Sequence, residues 1–350
     1  MRPEPFRIEP TFVPRIWGAR SLAPLYPEKS NLQEPVGEAW LTGVDCRIAS
    51  GPFEGKSLGA AWGEMKTLWR GTRLKAVEDF PILVKFVFPE DKLSIQVHPD
   101  DAYAAAHDAA AGGRGKTEMW HVVLAKPGAQ VLVGLKSNVN KDEFLEAVKT
   151  HTLEKLFEAY AANPGDTFFV PAGTPHTIGP GMVICEVQEY SDLTYRIYDY
   201  GRVDGQGHPR ALHLEKALGV IKFGVPYGGQ TPALALPANG FKKDLLAACS
   251  YFVTERWELI GPTEFFTNSE HFNILIFLSG RGKIVAEGKA VSYHRGEVWF
   301  VPACIAPPQI LPADATTFLR AYVVANMDDF KNEWLDTGLD EKSITRQIFK

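Results

Sequence analysis

Residues 165–176 read Gly-Asp-Thr-Phe-Phe-Val-Pro-Ala-Gly-Thr-Pro-His, and the first part of this pattern returns at residues 296–302 as Gly-Glu-Val-Trp-Phe-Val-Pro. Each copy has a glycine, an acidic residue, four strand-forming residues and a proline. The second copy carries Cys304 in place of the second glycine and Pro307 in place of the histidine. A glycine turn at 278–282 precedes the second copy, where a β-hairpin requires one. The repeat predicts two modules of the same β fold, with the functional residues lost from the second.

Glycine and proline recur along the whole chain, with 31 and 25 residues, and the apolar runs between them are short. Many strands joined by turns give this pattern. We therefore expect a mainly β protein of two jelly-roll barrels with a small helical insertion at about 138–162. The predicted catalytic domain is 1–226, the Gly- and Pro-rich stretch 227–239 is the predicted linker, and 240–350 is the predicted degenerate second domain.

The composition is that of a soluble globular protein. Hydrophobic residues make up 45% and charged residues 23% of the 350, and the net charge of -5 gives no reason to expect nucleic acid or an anionic membrane as a partner. The four cysteines lie far apart without Cys-x-x-Cys spacing, which favours reduced thiols. The first residues lack the apolar run of a secretory signal, and no stretch approaches the roughly 20 apolar residues of a membrane span. We expect a cytoplasmic protein.

Four side chains have the chemistry and the context of metal ligands. Gln96 and His98 lie two positions apart in a run that is typical of a strand, so both point to the same face. Glu118 belongs to a neighbouring strand and His176 ends the repeat motif, so a barrel interior can bring all four together. Two imidazoles, a carboxylate and an amide oxygen suit Zn, Fe, Mn or Co. The alternative is that they are hydrogen-bonded strand residues and a solvated carboxylate.

A metal ion beside a hydroxycarbonyl sugar can polarise the carbonyl and stabilise an enediolate while a proton leaves the neighbouring carbon. Such a site also needs an acid–base group and a cation near the oxyanion. Lys116 lies two residues before Glu118 and would share its face on a strand. Arg196 would stay charged and could hold an enediolate or phosphate oxygen bidentately. The alternatives are a solvated loop lysine and an ion pair of the arginine with Asp192 or Asp199.

With these residues in place, the chain resembles the type I mannose-6-phosphate isomerase (phosphomannose isomerase) family of the cupin superfamily, in its shorter bacterial form. The resemblance spans residues from about 10 to 225. Its blocks are Trp17-Gly18, Gly37-Glu38-Ala39-Trp40, 81–86, 93–101, 116–120, Pro175-His176-Thr177 and 191–202. The Gln-x-His-Pro-Asp-Asp and Ser-Asp-x-Thr-Tyr-Arg blocks are the most specific. The interval between Gly134 and Gly165 is too short for the larger helical domain of longer members.

The resemblance implies a cupin-type fold and the interconversion of D-mannose 6-phosphate and D-fructose 6-phosphate through an enediol(ate). It implies one Zn2+ per chain, in the N-terminal barrel alone, held by Gln96, His98, Glu118 and His176. Arg196 matches the family's active-site arginine, and Lys116 falls where the family has a lysine proposed to act in catalysis. Trp17 is a candidate to line the sugar pocket, and the candidates for the phosphate are Lys85, Lys92 and Arg202.

Two other interpretations stay open. One is a different metal-dependent cupin enzyme, such as an oxygenase, although Gln96-Val97-His98 in place of the general His-x-His argues against an iron dioxygenase. The other is a non-catalytic sugar-phosphate-binding paralogue, which the loss of Arg196 or of a ligand would favour, and neither is lost. The expected partner is a small-molecule sugar phosphate, and the chain is expected to be a monomer or homodimer.

Overall fold

The structure is a computed structural model that describes residues 2–74, 79–204, 206–225, 227–236, 238, 240–265, 267–324, 326–336 and 338–349. Strand residues outnumber helical residues, 38% against 18%, so the prediction of a mainly β protein is confirmed. Within these residues, no helix has the length and apolar character needed to cross a membrane.

The first half of the chain supplies thirteen described strands. They are β1 (Phe6–Ile8), β2 (Thr11–Ala19), β3 (Val36–Trp40), β4 (Ile82–Val87), β5 (Ile95–Val97), β6 (Glu118–Ala125), β7 (Gln130–Leu135), β8 (Phe157–Ala161), β9 (Thr167–Val170), β10 (His176–Ile178), β11 (Met182–Glu189), β12 (Tyr195–Tyr198) and β13 (Gly229–Thr231).

The second half adds ten described strands. They are β14 (Leu234–Ala235), β15 (Lys242–Ala248), β16 (Val253–Leu259), β17 (Thr263–Glu264), β18 (Asn273–Ser279), β19 (Arg281–Ala286), β20 (Lys289–His294), β21 (Val298–Val301), β22 (Gln309–Pro312) and β23 (Thr316–Tyr322).

The helices are short and lie between strands or at the C-terminal end. They are α1 (Leu58–Glu64), α2 (Thr67–Arg70), α3 (Asp101–His107), α4 (Lys141–Lys149), α5 (Leu214–Val220), α6 (Met327–Leu335) and α7 (Glu341–Thr345). Short 3-10 helices occur at Pro27–Lys29, Thr72–Leu74, Ala109–Ala111 and Leu153–Leu156.

Each half of the chain forms one large and one small sheet. The first half builds the order β13-β9-β6-β11-β4-β3-β2 and the order β12-β5-β10-β7-β8. The second half builds β1-β21-β18-β23-β16-β15-β14 and β17-β22-β19-β20. In the first half, Trp120 and Phe168 of the large sheet share a buried cluster with Val131 and Ile178 of the small one. Side chains that alternate inward from the facing sheets therefore form the core of each half.

One strand from the start of the chain completes a sheet of the second half. β1 lies at the start of the chain but pairs with β21 of the second half, where Phe6 and Ile8 are fully buried and the ring of Phe6 stacks on Phe300 at 4.7 Å. At the corresponding edge of the first half, β13, which lies within 227–239, pairs with β9. The predicted linker 227–239 is therefore partly strand, because its backbone completes the edge of a sheet.

The helical insertion is smaller than the predicted segment 138–162. A capping box, in which Asn140 and Glu143 bond each other's backbone, begins α4 as the sequence indicates. The helix ends at Lys149, and His151 adopts a left-handed conformation with φ of 58°. The residues that follow form the 3-10 helix Leu153–Leu156 and then β8, which pairs with β7. The helical pattern of the sequence fails there because sheet pairing takes over from helix propensity.

Candidate active site

Three strands bring the predicted ligands to one place. In the small sheet of the first half, Gln96 on β5 lies directly opposite His176 on β10. Glu118 is the first residue of β6 in the facing large sheet. The motif glycine, Gly173, has φ of 88° and donates its N–H to the carbonyl of His98 at 2.8 Å. A side chain there would be strained and would clash with the carbonyl of Val220 at 2.8 Å, so glycine lets the segment that leads to His176 pack against the end of α5.

His98, Glu118 and His176 form one buried cluster, in which each residue is 1% exposed. One ligand atom from each lies within 4.8 Å of the others. The Nε2 atom of His176 is 3.3 Å from Glu118 Oε1, and the Nε2 atom of His98 is 3.7 Å from Glu118 Oε2. The side-chain amide of Gln96 lies beside them, with its Nε2 atom 3.3 Å from His176 Nε2.

The backbone fixes the tautomer of both imidazoles. The Nδ1 atom of His98 is 2.9 Å from the carbonyl of Leu193, and that of His176 is 2.8 Å from the carbonyl of Thr174. A carbonyl only accepts, so both Nδ1 atoms carry a hydrogen and both Nε2 atoms offer a lone pair. Burial lowers the pKa of His176 to about 4 and that of His98 well below its usual value, which keeps both rings neutral.

These residues fit a divalent cation. Among the described residues, the buried Nε2 atom of His98 makes no hydrogen bond, and the Oε2 atom of Glu118 has the ammonium of Lys116, at 2.8 Å, as its neighbour. Lone pairs that are buried without a donor cost free energy unless a ligand satisfies them. The Oε1 atom of Gln96 accepts a hydrogen bond from the hydroxyl of Ser94 at 3.3 Å. Rotation of the side-chain amide by 180° would exchange its oxygen and nitrogen and turn the oxygen towards the cluster.

Lys116 joins the cluster to a second buried carboxylate. Its Nζ atom lies 2.8 Å from Glu118 Oε2 and 3.2 Å from Glu186 Oε1. Burial opposes the charge of the lysine, but Glu118 and Glu186 raise its pKa above the usual value. Burial raises the pKa of Glu186, and Lys116 opposes that rise. Lysine and glutamate therefore form a desolvated pair beside the candidate metal site.

A cavity of about 450 Å³ opens beside this pair and is lined by Gln96 and Trp17. Its charged lining comprises five cations and three acids: Arg15, Lys85, Lys116, Arg196, Arg210, Glu38, Glu186 and Asp192. The excess of cations suits a substrate that carries an anionic group.

Arg196 is the cavity cation with the least protein compensation. Its guanidinium donates to the carbonyl of Ala211 at 2.8 Å, and its buried Nε atom has no partner within the described part of the chain. The two alternatives from the sequence pair elsewhere, since Asp192 pairs with Lys85 at 3.0 Å and Asp199 pairs with Arg202 at 2.6 Å. Burial lowers the pKa of Arg196, and neighbouring arginines act in the same direction.

Two predicted substrate-binding residues lie outside the lining of this cavity. Lys92 forms an ion pair with Glu154 at 2.7 Å, and Arg202 pairs with Asp91 at 3.2 Å and with Asp199. The structure brings Trp17 and Lys85 to the cavity but not Lys92 or Arg202. Both cations are paired with carboxylates that lie outside the cavity lining.

Two separate parts of the chain match models of one protein family. Residues 6–123 match the model described as phosphomannose isomerase type I, catalytic domain, and residues 242–311 match mannose-6-phosphate isomerase, cupin domain. A mannose-6-phosphate isomerase of Streptococcus mutans is 31% identical over 307 residues, which is 86% of this chain and 93% of that protein. The chain belongs to the type I mannose-6-phosphate isomerase family. The resemblance read from the sequence is thereby confirmed.

Other members of the family extend the similarity. The isomerase ManA of Bacillus subtilis is 31% identical over 314 residues, covering 86% of this chain and 94% of that protein. The crystal structure of the mannose 6-phosphate isomerase from Bacillus subtilis superposes with a TM-score of 0.82 at 29% identity and covers 91% of this chain and 99% of that one. The similarity thus extends over nearly the whole fold of that family member.

The sequence did not single out several residues of the cavity. Arg15 pairs with Glu38 at 2.9 Å, and Arg210 lies beside Asp199. Glu186 lies within β11 and belongs to none of the sequence motifs. A signal did exist for two of them, because Arg15 shares strand parity with Trp17, and Glu38 lies within the Gly-Glu-x-Trp block.

Proposed function

We propose that this chain is a zinc-dependent aldose–ketose isomerase that interconverts D-mannose 6-phosphate and D-fructose 6-phosphate through an enediol(ate). The observation that carries the proposal is the buried cluster of His98, Glu118 and His176 beside a cation-rich cavity, in a chain of this family. A sugar-phosphate isomerase needs a Lewis acid, a proton carrier and an anion site in one place.

The residues that would hold the metal are His98, Glu118 and His176, with Gln96 as the fourth donor. Four ligands drawn from imidazole, carboxylate and amide oxygen favour zinc among the candidate ions. When bound, zinc would polarise the carbonyl and hydroxyl oxygens of the open-chain sugar and so stabilise the negative charge of the enediolate. The hydrogen bonds from Nδ1 to Leu193 and Thr174 keep both rings oriented for that ion.

The isomerisation moves one proton between two carbons without net redox change. As the C2–H bond of the aldose breaks, its electron pair forms the C1–C2 double bond, and the carbonyl oxygen on C1 takes the charge or a proton. When C1 takes up a proton, the C2 hydroxyl gives up its own, so that its oxygen becomes the carbonyl on C2 and the oxygen on C1 ends as a hydroxyl. We assign the proton transfer to Lys116 and Glu186, whose charged atoms lie 3.2 Å apart on the cavity wall.

The phosphate and the enediolate both need positive charge in the cavity. Arg196 is available, because no described acid forms an ion pair with it and its Nε atom has no hydrogen-bond partner. Arg15, Lys85 and Arg210 add charge but already have carboxylate partners. We therefore assign Arg196 to the oxyanion that develops during the reaction, where a fixed cation has its largest effect.

We also propose that the metal lies in the first half alone and that the second half is a barrel of the same kind without one. The sequence repeat and the equal strand order of the sheets support this. Its consequence is one zinc ion per chain.

The test is a coupled assay of fructose 6-phosphate formation from mannose 6-phosphate. The protein is assayed as purified, after chelation, and after reloading with zinc, manganese, cobalt or iron(II). We expect turnover to be lost on chelation and restored best by zinc. Absence of turnover in every reloaded sample would contradict the proposal, and oxygen consumption by the iron-loaded sample would favour the oxygenase interpretation.

A further inference from the structure

We propose that Asp101 and Glu189 are positioning residues that hold the segment 115–117 in register for Lys116 and Glu118, and that Tyr251 of the second half braces this arrangement. The inference rests on the proposed function, because it assigns these residues to the site described above. Neither carboxylate lines the cavity, so both would act through the backbone of the segment.

Glu189 holds the middle of the segment. It lies at the end of β11, is 5% exposed, and accepts a short hydrogen bond from the backbone N–H of Thr117 through Oε1. The backbone N–H of Glu189 donates in turn to the carbonyl of Thr117 at 3.1 Å. The hydroxyl of Thr117 accepts from the N–H of Ala172 at 3.3 Å, four residues before His176. Thr117 therefore joins the segments of two candidate ligands.

Asp101 holds the start of the segment. Its Oδ1 atom accepts from the N–H of Gly115 at 2.8 Å, and the N–H of Lys116 donates to the carbonyl of Pro99 at 3.0 Å. The two backbones pack so closely that a Cβ atom on Gly115 would lie 2.6 Å from the nitrogen of Asp101. The segment that follows His98 is thus fastened to the one that precedes Glu118.

The second half of the chain reaches the same carboxylate. The hydroxyl of Tyr251, at the turn before β16, donates to Asp101 Oδ2 at 2.9 Å. Asp101 thereby accepts from Gly115 with one oxygen and from Tyr251 with the other. Removal of the tyrosine hydroxyl leaves the Gly115 contact in place but frees the carboxylate to rotate. The second half, which carries none of the predicted ligands, would in this way support the geometry of the site.

A small displacement of Lys116 relative to the candidate metal site has a large kinetic effect, because catalytic groups tolerate little misplacement. For Glu189→Ala we expect kcat to fall by about 10- to 100-fold with KM nearly unchanged. Glu189→Gln retains an acceptor for the Thr117 N–H and should restore most of the activity. For Tyr251→Phe, which loses a single hydrogen bond, we expect a loss of about 2- to 10-fold in kcat.

The matched control is Tyr26→Phe. The hydroxyl of Tyr26 donates to the carbonyl of Gly296 at 2.9 Å, so this variant also loses one hydroxyl contact between the N-terminal part and the second half, but away from segment 115–117. Each variant is assayed for kcat and KM, and amide hydrogen exchange of the metal-free protein is followed over residues 113–120. We expect faster exchange there in Glu189→Ala and Tyr251→Phe and no change in Tyr26→Phe.

The two readouts separate the possible failures. If Glu189→Ala and Tyr251→Phe match Tyr26→Phe in both exchange and kcat, the positioning role is wrong. If the wild-type protein has no isomerase activity, the proposed function fails, and exchange alone still decides whether the tether holds the segment. If exchange rises but kcat is unchanged, the tether exists without positioning the site, which also overturns the proposal.

Discussion

The sheet that carries Glu118 and the sheet that carries Asn273 have the same strand order. The sequence β13-β9-β6-β11-β4-β3-β2 in the first half corresponds to β1-β21-β18-β23-β16-β15-β14 in the second. The register corresponds as well, because Glu118 pairs with Val170 and Asn273 pairs with Val301, the last strand residue of each repeat. Positions in one half can therefore be matched to positions in the other residue by residue.

The matched positions carry opposite charges. Following the register across both sheets gives three pairs with reversed charge and one carboxylate matched by a shorter amide: Glu38 with Lys243, Lys85 with Glu255, Glu186 with Arg320, and Glu118 with Asn273. One backbone arrangement thus serves two different polar interiors.

In the second half these charges satisfy one another. Glu255 is fully buried, pairs with Arg320 at 3.2 Å, and accepts from the hydroxyl of Tyr322 at 3.0 Å and from the indole of Trp257 at 2.9 Å. The Nε atom of Arg320 donates to Asn273 at 2.7 Å. Burial alone would raise the pKa of Glu255, but Arg320, Lys243 and the hydrogen bonds from Trp257 and Tyr322 together more than offset it, and the pKa lies below the usual value.

In the first half the corresponding groups are left incomplete. His98 Nε2 and Glu186 Oε1 are buried without a hydrogen bond among the described residues, and burial raises the pKa of Glu186. A buried charge is tolerated only with a counter-charge or a ligand. The second half thus carries a counter-ion for Glu255 as Arg320. In the first half a single lysine, Lys116, is shared by Glu118 and Glu186, and among the described residues the Nε2 atom of His98 is left without a hydrogen-bond donor.

The largest predicted difference is between the metal content and turnover of variants at the matched positions Glu118 and Asn273. We expect Glu118→Ala or His98→Ala to lose bound metal and to reduce turnover by more than about 100-fold, since even an outer-shell partner of a metal ligand contributes 10- to 100-fold. Asn273→Ala should leave the metal content at one ion per chain. Metal analysis after dialysis, together with the coupled assay, measures both. If Asn273→Ala lost as much metal as Glu118→Ala, the prediction that only the first position holds metal would be wrong.

The second effect concerns the internal counter-ion. Arg320→Met leaves Glu255 buried without its closest cation, and we expect the free energy of unfolding to fall by about 3–5 kcal/mol. The matched control is Arg281→Met, whose ion pair with Asp314 is exposed and should contribute at most about 1 kcal/mol. Denaturant unfolding measures both variants. A stability loss in Arg320→Met no larger than in the control would show that the reversed pair is dispensable.

Arg196 should show the opposite behaviour to Arg320. Because no acid among the described residues forms an ion pair with it, Arg196→Ala should keep the fold and the bound metal while reducing kcat by roughly 100-fold through loss of transition-state charge stabilisation. Steady-state kinetics, metal analysis and denaturant unfolding measure the three quantities. Normal turnover in this variant would remove Arg196 from the mechanism.

The smallest effect, taken per pH unit, is the pH dependence of stability that comes from two buried glutamates. Burial and the nearby Asp101 raise the pKa of Glu189 from its unfolded value of 4.5 to about 8, so the folded state keeps a proton that the unfolded state releases. Stability should therefore fall as pH rises from about 5 to 8, by at most about 1.4 kcal/mol per pH unit. Glu189→Gln should flatten this slope in thermal unfolding. An unchanged slope would contradict the raised pKa.

Glu255 should respond in the opposite window. Because its folded pKa is lowered, the stability that it contributes is present above its unfolded pKa and is lost as pH falls through the folded value. The thermal unfolding series therefore extends below pH 4.5. A Glu255→Gln variant that loses stability equally at every pH would contradict this assignment.

The sequence predicts that His98, Glu118 and His176 lie together but predicts little of the rest of the cavity, for a physical reason. Gln96, His98 and His176 lie in local patterns whose strand parity and turn glycine can be read directly. Arg15 and Arg210 enter the cavity only through long-range pairing and ion pairs that no local pattern encodes. The placement of β1 in the distant sheet likewise rests on three residues with a partner far along the chain.

The charge reversal could not be read from the sequence at all. The repeat matches Val170 with Val301 through its glycine and proline, but no local signal aligns Lys85 with Glu255. Their correspondence appears only when the strand pairing of both sheets is known. Loop lengths differ between the halves, so sequence spacing does not carry the register.

The most direct test of this account is anomalous diffraction at the zinc edge from crystals of the zinc-loaded protein. We predict one peak per chain, within coordinating distance of His98, Glu118 and His176, and none beside Glu255 and Asn273. A peak in the second half, or no peak between the two histidines, would contradict the account.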